Sequence, residues 1–154
     1  MTILDVLTVP NPVLSQKCDP VTVFDKELQQ LIDDMFETMN DSKGIGLAAP
    51  QVGVLMQLFI CKTETDRVVA INPKLEYLGD ELESEEGCLS IPNILAVVDR
   101  RSQVKLTAKD VNGKEFSRVY DDLMAIVIQH EFDHLVGKLI TDCPLEIKNV
   151  EGDI

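Results

Sequence analysis

The sequence predicts an α+β fold, with mixed or antiparallel strands packed around one central helix. Three observations carry that expectation. Phe24, Leu28, Leu31, Ile32, Met35, Phe36 and Met39 recur at helical spacing, which predicts a first helix from Asp25 to Asn40. Runs rich in β-branched and aromatic residues, bounded by turn residues, predict strands near 57–62, 67–73, 94–99, 103–110 and 115–120, with Asn112-Gly113 as a hairpin turn between the last two. A second stripe, Leu123, Ile126, Val127, His130 and His134, predicts the central helix, and Asp121 or Asp122 is available to cap its start. No repeat, low-complexity stretch or linker interrupts the chain. Its 154 residues suit one domain, 1–154, with a sizeable core.

The central helix carries the chemistry. His130 and His134 are the only two histidines, and Glu131 follows the first. Residues i and i+4 share a helix face, so both imidazoles can point at one metal ion with the glutamate beside it. The plain alternative is a pair of buried, hydrogen-bonded histidines. Burying both with Glu131 on an apolar face is costly without a compensating partner, which favours a metal.

The third ligand separates the classes that share His-Glu-x-x-His. The longer endopeptidase pattern holds through Gly137 and fails at Ile140, where a third histidine would stand. Glu146 and Glu151 lie in a tail too short for a supporting helix. Four cysteines remain: Cys18, Cys61, Cys88 and Cys143. Cys88 is the best placed, because Gly87 permits a tight backbone approach and Pro92 stiffens the exit. Cys61 adjoins the apolar run Leu58-Phe59-Ile60 and is expected in the core, whereas Cys18 and Cys143 lie in polar, proline-flanked turns. A further segment, Gly44 to Gly53, has small residues that let the backbone run close to something, and Gln51 offers an amide donor. It matches neither a dinucleotide fingerprint nor a phosphate loop.

Together these segments resemble the peptide deformylases, whose members carry G-φ-G-φ-A-A-P-Q, E-G-C-L-S and H-E-φ-D-H runs in that order. All three are present, at Gly44 to Gln51, Glu86 to Ser90 and His130 to His134, and the likeness extends from Pro10-Asn11-Pro12 to Gly137-Lys138. The resemblance implies a metallo-hydrolase that removes the formyl group from N-formylmethionyl nascent peptides and releases formate. It implies Cys88, His130 and His134 as metal ligands, with a water in the open fourth position. Glu131 would be general base and then acid, and Gln51 with the Leu89 N–H would form the oxyanion hole. Gly46 would line the groove for the peptide backbone, and Ile45, Leu123, Ile126 and Val127 would bound the methionine pocket. The family's metal is Fe(II); Zn(II), Ni(II) and Co(II) suit the same ligands.

Some features depart from relatives. Pro144 interrupts the tail and Glu146 to Ile154 is acidic, so transient ribosome proximity is expected without a basic C-terminal docking helix. Leu95 and Asp99 stand where some relatives have arginine and proline, so positions after the methionine are read differently. Arg100 either pairs with Glu86 or lies in solvent. Net charge is −13, which disfavours nonspecific nucleic-acid binding. No apolar run approaches a membrane span. Four cysteines without a signal peptide favour reduced thiols and a cytoplasmic location. A noncatalytic zinc module would leave Glu131 and Gln51 without a reason. Ser84 and Val127, near the expected pocket, leave preference for another acyl group open.

Overall fold

The computed structural model describes residues 2–150. Helix α1 (Lys26–Asp41) starts where Asp25 stops the extended chain: its carboxylate accepts a hydrogen bond from the Leu28 N–H at 3.0 Å. The stripe read from the sequence then buries Leu28, Ile32, Met35, Phe36 and Met39. They pack with Leu47 of β1 (Gly46–Ala48), Leu58 and Ile60 of β2 (Leu58–Lys62) and Ile71.

The strands form one sheet in the order β1-β2-β3-β4-β5, and a sixth strand joins β4. Every strand pair among the described residues is antiparallel, which settles the mixed-or-antiparallel choice. The largest difference from the sequence reading is strand length. β3 runs from Arg67 to Cys88 and β4 from Ile91 to Lys109, so the expected pieces 67–73, 94–99 and 103–110 belong to one long hairpin. Residues 76–86 are glutamate-rich, and glutamate is a poor strand former by local preference. Cross-strand partners override that preference, with Glu76 opposite Lys105 and Glu81 opposite Arg101. Cys88 pairs with Ile91 across the Leu89-Ser90 turn. Pro92 therefore lies within β4 and does not stiffen a loop exit.

β5 (Glu115–Asp121) follows the Asn112-Gly113 turn, where Gly113 takes φ +81°. Helix α2 (Asp122–Leu135) comes next, with Asp121 at its N-cap position. Neither aspartate supplies the expected cap: the Asp121 side chain makes no capping bond, and Asp122 is already the first helical residue. The core-facing side of α2 is Met124, Ala125, Val127, Ile128 and Leu135, of which Val127 belongs to the expected stripe. The stripe expected to be core-facing is graded instead, from Leu123 at 54% exposure to His134 at 1%. Gln129 pins the helix to β4: its Oε1 accepts from Arg101 N–H at 2.9 Å and its Nε2 donates to Arg101 C=O at 2.8 Å.

Two further expectations change. Cys18 is buried, its N–H bonded to the Leu135 carbonyl, and burial pushes its thiol up to about 11. The tail carries a strand the sequence did not signal, β6 (Glu146–Asn149), paired with Ile94 to Val97 of β4. Glu151 to Ile154 lie outside the described residues. No described helix is long and apolar enough to cross a membrane.

Candidate active site

Four elements converge on one cavity of about 430 Å³. The end of β3 and its turn bring Cys88 and Leu89, and α2 brings Leu123, Ile126, Val127, His130 and Glu131. The stretch before β1, with β1 itself, brings Ile45 and Gly46, and the short 3-10 turn Ala49–Val52 brings Gln51. His134 stands behind the lining. Every site residue expected from the sequence thus lies at this cavity or directly beside it.

The Cys88 Sγ and one nitrogen from each of His130 and His134 lie within 4.8 Å of one another, and Sγ is 3.4 Å from His134 Nε2. His130 Nδ1 donates to Glu86 Oε1 at 2.8 Å, which leaves its Nε2 lone pair for the cluster. His134 Nδ1 and Glu131 Oε1 are buried without a hydrogen-bond partner. A thiol and two imidazoles, one already oriented by a carboxylate, suit a divalent transition metal.

Gln51 is held at both ends of its amide. Oε1 accepts from Ala48 N–H at 2.9 Å, while Nε2 donates to Ser90 Oγ at 3.1 Å and lies 3.7 Å from Cys88 Sγ. Gly46 has no side chain for a clear reason: a Cβ there would stand 2.5 Å from Glu131 Oε2. The strand backbone and the glutamate carboxylate are in direct contact.

Burial raises the Glu131 carboxyl to about 7, against the opposing His130 charge and with help from Glu86. Burial works against a charged His130, but Glu131, Cys88 and Glu86 outweigh it and hold its pKa well above the usual value. His134 goes the other way, because burial and the His130 charge both disfavour its protonation. Glu86 is buried, yet the Arg100 guanidinium and His130 hold it down at about 2.

The structure decides the position of Arg100. It is buried, bonding Glu86 through Nε at 2.8 Å and Nη2 at 2.6 Å and Asp133 through Nη1 at 2.7 Å. Two supporting residues escaped the sequence reading. Ser90 closes the E-G-C-L-S run, and its buried hydroxyl accepts from Gln51 Nε2. Asp133 lies inside the His-Glu-x-x-His stretch, so its carboxylate was the available signal; its partner is 33 residues away.

The polypeptide deformylase family model matches residues 3–150. A peptide deformylase of Desulfotalea psychrophila is 42% identical over 148 residues, covering 92% of this chain and 88% of that protein. Among solved structures, a Synechococcus elongatus peptide deformylase in complex with actinonin gives a TM-score of 0.90 at 43% identity, covering 93% of this chain and 79% of that one. One from Thermotoga maritima gives 0.89 at 34% identity, covering 99% of this chain and 100% of that one. The chain therefore belongs to the polypeptide deformylase family and is a hydrolase.

Proposed function

We propose that the protein removes the N-formyl group from the formylmethionine of newly made polypeptides, as one catalytic unit spanning residues 1–154 in the cytoplasm. The observation that carries this reading is the shared cavity. A buried carboxylate, an oriented amide donor, Cys88 and His130 line one pocket beside an edge strand, with His134 next to Cys88 behind the wall.

Cys88, His130 and His134 would hold one divalent ion, Fe(II) by family likeness, with Zn(II), Ni(II) or Co(II) as substitutes. When bound, it supplies Lewis-acid chemistry, acidifying water and stabilising charge on a carbonyl oxygen. The formylmethionyl peptide lies along β1 at Gly46, with its methionine side chain among Ile45, Leu123, Ile126 and Val127. Glu131 takes a proton from the attacking water. As the formyl carbon becomes tetrahedral, Gln51 Nε2 and the Leu89 N–H donate to the developing oxyanion. Loss of one such donor typically costs about 100- to 1,000-fold in rate. Glu131 then passes its proton to the departing amine, and formate leaves. The raised Glu131 carboxyl suits a group that must both take and give a proton near neutrality.

The test is formate release from formyl-Met-Ala-Ser by anaerobically prepared protein loaded with Fe(II) or Ni(II), with Glu131→Ala alongside. Release by the wild type that disappears in Glu131→Ala, with metal retained, supports the reading. A folded, metal-loaded wild type that releases no formate overturns it.

A further inference from the structure

One charged side chain on the cavity wall is unaccounted for by that chemistry. Lys43 lines the mouth, is exposed, and makes no ion pair among the described residues. The other charges on the wall are engaged. Glu86 is held by Arg100, Glu85 by Lys148 of β6 at 2.8 Å, and Glu131 is buried beside Gly46.

The Lys43 backbone makes the residue choice unexpected. Its N–H bonds the Asn40 carbonyl and the Gly44 N–H bonds the Met39 carbonyl, which closes α1 in a Schellman turn with Lys43 in the left-handed position at φ +57°. Glycine favours that position, because a Cβ there is strained. A lysine gives up local stability, and its side chain stands on the cavity wall.

Chain direction supplies the rest. Gly46 touches Glu131, so the reacting end of an extended peptide lies there. Beyond Gly46, Leu47 and Ala48 are buried, so the peptide cannot continue that way. Going back from Gly46, Ile45, Gly44, Lys43 and Ser42 all line the open side of the cavity. A peptide added to the free edge of β1 therefore runs antiparallel to it, at about 3.3 Å per residue, and brings its second and third residues past Lys43.

We propose that Lys43 selects formylmethionyl peptides with an acidic side chain at the second or third position. This inference rests on the deformylase reading above. The cation offsets, at the mouth, the repulsion that a chain of net charge −13 exerts on acidic peptides.

The experiment compares metal-loaded wild type, Lys43→Glu, Lys43→Arg and Lys43→Gly on formyl-Met-Ala-Ser and on peptides with Glu or Lys at position two or three. In the wild type the Glu peptide is expected to be favoured over its Lys counterpart by about threefold in kcat/KM at one of the positions, the scale of an exposed ion pair. The preference should lie in KM, not kcat, and should fade as salt rises. Lys43→Arg should keep it, Lys43→Glu should invert it, and Lys43→Gly, which suits the turn, should abolish it. Turnover of formyl-Met-Ala-Ser with Glu-to-Lys ratios that do not move among the variants overturns the Lys43 proposal alone. No formate from any peptide overturns the deformylase reading and this inference with it.

Discussion

Glu86 Oε1 stands 2.8 Å from His130 Nδ1 and 2.6 Å from Arg100 Nη2, so one buried carboxylate orients an imidazole while an arginine holds the carboxylate. Asp133 completes the cage from the next turn of α2. The sheet hairpin and the helix are thereby tied beside the cluster of Cys88, His130 and His134.

Arg100→Leu should be severely destabilising, because it strands Glu86 in the interior and leaves Asp133 without its partner. Breaking a buried pair in this way costs about 3–5 kcal/mol. The same variant should bind divalent metal about 10- to 100-fold more weakly, since Glu86 is no longer held in place to orient His130. Chemical denaturation and metal titration read the two effects separately. Unchanged stability would mean that the network contributes nothing to folding.

Gly46→Ala addresses the contact between β1 and Glu131. The new methyl would stand 2.5 Å from Glu131 Oε2, so the carboxylate must move. Displacement of a catalytic group by about 1 Å can cost about 100-fold in rate. We expect a loss of that order in formate release, with circular dichroism unchanged. Full activity would show that Glu131 works from another position.

Metal removal should act on both activity and stability. A chelator should abolish formate release, and re-addition of Ni(II) or Fe(II) should restore it. At a free metal concentration of about 100 times Kd, binding adds about 2.7 kcal/mol to stability, so the melting temperature should fall on stripping. Undiminished turnover by protein shown to be metal-free by elemental analysis would refute the ligand assignment.

Acid should weaken the tie between the N-terminal segment and α1. Asp34 Oδ1 accepts from the Thr2 N–H at 2.7 Å and from Gln30 Nε2 at 2.8 Å, and these bonds lower its carboxyl below the usual value. A depressed carboxyl contributes stability that is fully present above its unfolded pKa of about 3.9 and is lost as pH falls through the folded value. Wild type should therefore exceed Asp34→Ala in stability at neutral pH. The gap should narrow only below about pH 4. Urea denaturation across that range is the measurement, and a gap independent of pH would remove the charge from the account.

The α+β class, the first helix with its Asp25 boundary, and the chemistry-bearing side chains gathered at the cavity could all be read from the order of the residues. Those features rest on local signals: a 3.6-residue stripe and chemically distinctive side chains at short spacing. Long-range pairing settled what local preference opposes or does not encode. The acidic stretch of β3 became strand because β4 supplies a long antiparallel ladder, with Lys105 and Arg101 opposite Glu76 and Glu81. Residues 146–149 became strand only because the edge of β4 at Ile94 to Val97 was free to take them. Arg100 had two positions open to it, and the pairing of β3 with β4 put Glu86 within its reach while α2 brought Asp133 to the same guanidinium. The physical reason is common to all three cases. In each, the deciding partner lies on another strand or helix, distant in sequence, so no local preference encodes the outcome.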